Sequence, residues 1–464
     1  MEDLPTQIRA KMEAAGLSSA AVGAFLYQYR KLARNEAGLI PENSISPVGN
    51  LPFIDDESVW GEQSNLATQT VLLKLNGGLG TGMGLEKAKS LLRVRDEFTF
   101  LDIIARQCLH LRSAVAPQLR LLFMNSFSTS SDTAAALASY PGLGDPKQLE
   151  LMQNKVPKID VKTLEPAEWP QNRSLEWCPP GHGDLYTALL GSGLLERLLN
   201  EGKKYLFVSN SDNLGATLDL RLLDFFASSA APFLMEVTSR TAADRKGGHL
   251  ARKNADQRLL LREFAQCPEK DVASFQNIAR HRYFNTNNLW IRLDALHAVL
   301  ECSDGLLPLP LIRNEKTIDP RDKSTPKVYQ LETAMGAAIE CFDDARAIEV
   351  QRSRFAPVKT TADLLAVRSD AYELDSEFKL VLRPERNGVP PVVKLSDHYK
   401  LVDEFEPLIA RGVPSLARCH SLTVEGKMVF EPNVEIVGEV KFVAPGEDTK
   451  TVAAGTYQNR EVVL

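Results

Sequence analysis

An apolar run that passes without pause into a glycine-rich loop sets the strongest limit on what this chain can fold into: VLLKLNGGLGTGMGLEKAKS, residues 71–90. Residues 71–75 have the texture of a buried strand, and Gly77, Gly78, Gly80, Gly82 and Gly84 follow before Lys87 and Lys89. Glycines let the backbone approach an anion closely and turn successive amide N–H groups inward, and a lysine at the loop's end adds a mobile positive charge. No frame supplies glycines at the first, third and sixth positions of a dinucleotide fingerprint, and Ala88 stands where a P-loop has glycine before its Lys-Ser. The segment is therefore a phosphate cradle of another kind or a tight structural turn.

Beyond it, apolar β-rich runs at 119–124, 205–209, 233–237 and 259–264 alternate with helical patterns as far as residue 382, the signature of an α/β sheet. Thr99 with Asp102 predicts a capping box, and Leu101, Ile104, Ala105 and Cys108 share one face of the helix it opens. Residues 1–36 read as helix, with Leu17, Ala21, Ala24, Phe25 and Tyr29 near one face, followed by a loop marked by Pro41 and Pro47. After the Pro- and Gly-marked segment 383–391, helical periodicity fades, and near Ser421 short strands begin, broken by Gly426, Pro432, Gly438 and Gly446. That texture suits a small solenoid of two or three coils or a sandwich. Three units are expected: a helical cap and linker at 1–50, an α/β domain at 51–382, and a β domain at 383–464.

Composition excludes several partners. Lys plus Arg number 54 against 60 for Asp plus Glu, a net charge of −6 in 464 residues, so the chain has no global attraction to nucleic acid or to an anionic membrane. No stretch approaches the ~20 apolar residues needed to span a bilayer, and residues 1–40 lack the charge pattern of a leader. Six cysteines without paired spacing read as reduced thiols, and the expected location is the cytoplasm.

Four further strings carry chemistry. In PPGHGDLY, residues 179–186, Gly181 and Gly183 leave His182 on a tightly turned backbone before a helix expected to run to about residue 199. The strand at 205–209 ends in Asn210, Ser211, Asp212 and Asn213, at the strand end where open α/β sheets hold ligands. A lone carboxylate there suits a magnesium ion whose other ligands are phosphate and water oxygens, or simply an Asx turn. FNTNNLW, residues 284–290, offers Asn285, Asn287 and Asn288 either as readers of sugar hydroxyls or as a turn. RSRFAPVKTTADLL, residues 352–365, places Arg352, Arg354 and Lys359 ahead of a helix that Thr361 can cap, giving an anion site or a solvated basic edge. Together these describe a site for a phosphorylated, hydroxyl-rich ligand with a metal.

These strings, with FLMEVTSRT, KGGHL and QLETAMGAA, stand in the order found in eukaryotic-type UDP-glucose pyrophosphorylases, and the chain resembles that family strongly over residues 70–370. The resemblance continues through VVKL at 392–395 and SLTVEGKMVF at 421–430 and is weak in the first 50 residues. It implies a Rossmann-like nucleotidyltransferase domain, a C-terminal left-handed parallel β-helix and a small N-terminal helical segment. It also implies Mg2+-dependent, reversible conversion of UTP and glucose 1-phosphate to UDP-glucose and pyrophosphate. By the same resemblance Leu75, Asn76, Gly77 and Gly78 would meet the UTP, and Met124, Gln153, Pro180 and Gly181 would hold the uridine. His182, Asn210, Gly248, Glu263, Asn285 and Asn287 would line the sugar. Lys89 would contact the polyphosphate, Lys359 would bridge the sugar phosphate and the α-phosphate, and Asp212 would bind the Mg2+. The family includes monomers and homo-oligomers joined through the C-terminal β-region.

One departure concerns the loop, where Leu85, Glu86, Lys87 and Ala88 replace the Cys-Lys-Gly-Pro or Cys-Thr-Gly-Pro common in the family, putting an acid near the phosphates. The shorter Gly-Gly-x-Gly-Thr-Arg loop of acetylhexosamine enzymes is absent. A broad-specificity UDP-sugar pyrophosphorylase and a catalytically silent UDP-sugar sensor remain as alternatives, and intact Lys89, Asp212 and Lys359 count against the second.

Overall fold

The strand Thr70–Asn76 is buried at nearly every position, as a strand covered on both faces must be. In the computed structural model, which describes residues 3–36, 38–56, 64–241 and 244–464, it lies in a ten-stranded mixed sheet. Tyr205–Asn210 pairs parallel to it on one side and Arg120–Asn125 on the other, and Glu150–Met152 pairs parallel to Arg120–Asn125. The antiparallel strand Tyr283–Arg292 joins Tyr205–Asn210 to Phe233–Ser239, which is parallel to Arg346–Glu349. Alternation divides the core: Val71 and Leu73 pack on one face with Leu185 and Leu189, while Leu72 packs on the other with Phe100, Phe123 and Trp290. Fully burying one such leucine contributes roughly 1.5–3 kcal/mol. The register sets Asn76 beside Asn125 and Leu75 beside Asn210, so the carboxyl ends of three parallel strands finish on one edge.

The capping box forms as expected: Thr99 Oγ1 accepts from Asp102 N at 3.1 Å and Asp102 accepts from Thr99 N at 2.8 Å, opening the helix Phe100–Ala114. Several boundaries differ from expectation. The N-terminal region holds two helices, Leu4–Ala14 and Ser19–Ala33, because Gly16 turns the chain at φ 77° and Ser18 caps anew; residues 1–2 lie outside the described residues. The helix after His182 breaks at Gly193 (φ 66°) into Asp184–Gly191 and Leu194–Asn200. The strand from 259 ends at Arg262, and Glu263 caps a short 3-10 turn.

The parallel C-terminal strands begin at Val392, before the change in texture near Ser421. Val392–Leu395, Ser415–Glu425, Val434–Val443 and Gly455–Val463 form one parallel ladder, and Met428–Phe430 pairs parallel with Lys450–Val452. Leu422, Phe430, Ile436 and Phe442 of this region are continuous with the core beneath Trp290. All six cysteines are free. Among the described residues no helix is long and apolar enough to cross a membrane.

Candidate functional site

A cleft of about 440 Å³ opens at the carboxyl ends of the parallel strands. It brings together Leu75, Gly77, Gly78, Lys89, Met124, Gln153, Gly181, His182, Asn210 and Asp212 from five separate segments. Lys316, Gln330 and Glu332 also line it, from the hairpin of Ile312–Thr317 and Lys327–Glu332; Gln330 and Glu332 belong to the string QLETAMGAA, to which sequence reasoning gave no site role, and Lys316 was not singled out. The first strand of that hairpin, with Lys316, carried no motif to draw notice.

The glycine loop is closed at its base by Lys89 N, which donates to Gly78 O at 3.2 Å. Lys89 Nζ then donates to Asp212 Oδ2 at 2.6 Å, while Asp212 Oδ1 is buried with no partner. An unpartnered carboxylate oxygen beside a glycine loop and a lysine fits a hard cation that takes its remaining ligands from phosphate and water. Among the described residues no group of three or more His, Cys, Asp or Glu could enclose such an ion by itself. Glu86 is 84% exposed and faces Arg321 at 3.9 Å, so the acid that departs from the family pattern points away from the cleft, and buried Ala88 keeps the turn tight.

Among the residues expected to meet a nucleotide, Gln153 Nε2 donates to Gly181 O at 2.9 Å, and its Oε1 lies 2.6 Å from where a Cβ on Gly77 would stand. The neighbouring Asn154 donates through its N and Nδ2 to Asp184, whose carboxyl is pushed up to about 7 by burial despite those two bonds. Gly181 adopts φ 79°, and a Cβ there would stand 2.5 Å from Thr333 O, so only glycine fits. His182 Nδ1 accepts from Met335 N at 3.0 Å, which leaves its proton on Nε2; burial, then the charge of Lys359, holds its pKa down at about 4. It is a neutral donor. Two of the expected residues are not among those lining the cleft. The side chain of Asn76 is buried and donates to Asn125 Oδ1 and Thr133 Oγ1, away from the cleft. Pro180 accepts from Thr333 N through its carbonyl and lines a separate, smaller cavity.

Gly248, Glu263, Asn285 and Asn287 form a second group that does not line the cleft itself. A Cβ on Gly248 would stand 2.6 Å from Glu263 Oε2, and Asn285 N donates to Gly248 O at 3.2 Å. Asn285 and Asn287 bond each other at 2.9 Å. The turn weighed for these asparagines is instead part of the strand Tyr283–Arg292, irregular where its register with Phe233–Ser239 shifts, and Asn287 takes φ 60° there. Burial raises Glu263, and the charge of Lys359 opposes it. Lys359 therefore acts electrostatically on both His182 and Glu263, which joins the two groups.

The basic cluster of residues 352–359 is not a three-residue anion site. Arg352 pairs with Asp244 through two bonds of 2.8 and 2.9 Å, and buried Arg354 grips Glu236 at 2.7 and 2.8 Å. Glu236 also accepts from Trp290 Nε1 and Asn288 Nδ2. This network fixes the loop that carries Lys359: Asn213 bonds Arg354 O and Ala356 N, and Val358 N donates to Asp212 O at 3.1 Å. The helix Thr361–Arg368 is capped by Thr360, one residue earlier than expected. Beneath the site Lys74 donates to Ser209 Oγ and Ala216 O, both at 2.7 Å, and burial, then the charge of Arg354, brings its pKa down to about 7. A lysine inside the otherwise apolar TVLLKL was the available sequence signal for it.

An α/β protein with a partly parallel central sheet, a glycine loop and a lysine–carboxylate pair at the strand ends is the class that this fold and cleft define. The chain belongs to the UTP–glucose-1-phosphate uridylyltransferase family, whose model matches residues 22–437. It is 42% identical over 401 residues to the UTP–glucose-1-phosphate uridylyltransferase of Saccharomyces cerevisiae, covering 86% of this chain and 79% of that one. The enzyme of that name from Astragalus penduliflorus is 40% identical over 406 residues, covering 86% and 83%. Among solved structures, a variant UDP-glucose pyrophosphorylase from Leishmania major in complex with UDP-glucose superposes with TM-score 0.96 at 46% identity over 100% of both chains. A UDP-glucose phosphorylase from Trypanosoma brucei gives 0.93 at 49% identity over 99% of each.

Proposed function

We propose that the chain catalyses the reversible transfer of a uridylyl group from UTP to glucose 1-phosphate, forming UDP-glucose and pyrophosphate. The observation that carries this reading is the Lys89–Asp212 pair in a cleft floored by the glycine loop, with Lys359 on a loop bonded to the same segment. A sugar phosphate is already anionic at neutral pH, so the reaction needs no general base. It needs two anions held in line and their developing charge neutralised.

In this reading the main-chain N–H groups near Gly77 and Gly78 and the Gln153–Gly181 contact hold the nucleotide. His182 Nε2–H, fixed by the bond at Nδ1, offers a neutral donor that does not add to the charge. Lys359 faces the attacking phosphate and Lys89 the polyphosphate. Glu263, Asn285, Asn287 and the backbone at Gly248 read sugar hydroxyls, with Asn210 at the join. Asp212 Oδ1 would hold Mg2+, which when bound supplies charge neutralisation to phosphate oxygens.

The same proposal assigns residues 51–382 to catalysis, 1–50 to a helical cap and 383–464 to a left-handed parallel β-helix that could also join subunits. It places the enzyme in the cytoplasm, acting on UTP and glucose 1-phosphate and on neither nucleic acid nor membrane. The test is pyrophosphate release with Mg2+, crossing UTP, ATP, GTP and dTTP against glucose, galactose and N-acetylglucosamine 1-phosphates. Release confined to UTP with glucose 1-phosphate is expected. Comparable galactose activity would make it a broad UDP-sugar enzyme, and UDP-glucose binding without turnover would make it a sensor.

A further inference from the structure

Gly248 and Glu263 rest on a second, buried layer. Their neighbours His249 and Arg262 are cross-strand partners in an antiparallel ladder, and one rung further on the Glu263 carboxylate lies against Gly248. Successive strand residues point to opposite faces, so His249 and Arg262 are turned away from the face that Gly248 and Glu263 present. Both side chains are fully buried.

One residue of the N-terminal linker anchors that layer. Glu42 Oε2 accepts from Arg262 Nη1 at 2.6 Å, while its Oε1 accepts from Arg280 Nε at 2.7 Å and bonds His281 Nε2 at 2.9 Å. The His281 ring in turn stacks on His249 with centroids 3.9 Å apart, and Phe275 packs against both His249 and the Arg262 guanidinium. The linker is itself fixed. Glu42 N donates to Asp271 Oδ2 at 2.8 Å, Ile40 N donates to Gln266 O at 2.7 Å, and Ile45–Pro47 pairs with the strand that begins at His249. Gln266 also accepts from Glu263 N through its Oε1 at 2.8 Å, a second tie between the linker and Glu263. Arg262 Nε, His249 Nε2 and His281 Nδ1 are buried without partners among the described residues, and Asp271 stands 3.7 Å from Arg262, so Glu42 is the nearer counterion.

We propose that Glu42 is a positioning residue for the sugar subsite, setting Glu263 through Arg262 and Gly248 through the His281–His249 stack. This rests on the uridylyl-transfer reading above, which gives Glu263 and Gly248 their sugar role. The segment that joins the N-terminal helices to the α/β domain thus completes a site whose cleft it does not line. A glutamine in place of Glu42 keeps the shape but gives up the charge that grips Arg262. The rung carrying Gly248 and Glu263 then loses its fixed place, and hydrogen bonds to sugar hydroxyls weaken steeply with small displacements.

The experiment compares the wild type with Glu42→Gln, with Arg280→Gln and with the double variant Glu42→Gln plus Arg262→Met, titrating UDP-glucose and UDP calorimetrically in the presence of Mg2+ and measuring kcat and KM for glucose 1-phosphate and UTP. Glu42→Gln is expected to weaken UDP-glucose binding and raise KM for glucose 1-phosphate about fivefold, with kcat, KM for UTP and UDP binding within about twofold. The double variant removes the buried cation along with its counterion and should show the same selective loss even where the single variant is unstable. Arg280→Gln takes away only an exposed partner of the same carboxylate and should bind UDP-glucose within about twofold of the wild type. Unchanged UDP-glucose binding in the double variant, or equal weakening of UDP-glucose and UDP, overturns the assignment. A wild type that binds UDP-glucose but releases no pyrophosphate from UTP and glucose 1-phosphate would defeat the reaction proposed above, while the comparison of UDP-glucose with UDP would still decide the role of Glu42.

Discussion

Lys89 Nζ and Asp212 Oδ2 lie 2.6 Å apart although 123 residues separate them in sequence. They sit on loops that leave two neighbouring parallel strands, Thr70–Asn76 and Tyr205–Asn210. The second oxygen of Asp212 is buried and unpartnered, so the pair presents one cation and one open acceptor to the same cleft.

If that oxygen holds the metal, chelation should abolish pyrophosphate release and Mg2+ should restore it. In Asp212→Asn the Mg2+ concentration giving half the maximal rate should rise at least about tenfold, because a neutral amide replaces the charged ligand. A Mg2+ titration of both proteins checks this, and superimposable curves would count against the assignment.

Lys359 has no side-chain hydrogen bond or ion pair among the described residues, yet its charge reaches His182 and Glu263. Lys359→Ala should therefore lower kcat at least ~100-fold, the scale of losing one electrostatic stabiliser, with an unchanged denaturation midpoint. Steady-state kinetics beside urea melts separate the two effects. Near-normal turnover would remove Lys359 from the site.

His182, with its pKa held down at about 4 by burial and by Lys359, stays neutral throughout the working range. The ratio of wild-type to His182→Gln kcat/KM should thus be flat from about pH 5.5 to pH 8, and an inflection near 6.5 would contradict a neutral ring. Stability carries the same signature. The unfolded imidazole binds a proton at a higher pH than the folded one, so its contribution is fully present above about pH 6.5 and is lost as pH falls toward 4.

Arg354 and Glu236 form a buried bidentate pair that fixes the Lys359 loop. Arg354→Met leaves the carboxylate without its cation and should cost about 3–5 kcal/mol of stability in urea denaturation. Adding Glu236→Gln in the same chain should recover part of that loss. An exposed, solvated arginine would give a change below about 1 kcal/mol instead.

How much of this was legible in the chain depends on range. The capping box at Thr99 and Asp102, the strand–glycine-loop transition and the strand end at Asn210 and Asp212 are patterns within a few residues, and local periodicity records them faithfully. The bends at Gly16 and Gly193 were missed because helical periodicity runs across them, whereas each glycine's positive φ breaks the helix. Arg352 and Arg354 read as a basic cluster because their counterions, Asp244 and Glu236, lie 108 and 118 residues away.

The sequence by itself determined the α/β alternation, the glycine loop, the polar strand ends and, through its collinear strings, the family. Only the tertiary structure decided which of those side chains meet in the cleft. It turned Asn76 inward to Asn125, set the tautomer of His182 through Met335 N from 153 residues away, aimed Glu86 outward, and brought Lys316 to the cleft on a strand that no quoted string covers. The reason is physical. Propensity and periodicity act over one or two turns of chain, while a buried polar group takes its partner from whatever element packs against it, and the register of the sheet sets that neighbour.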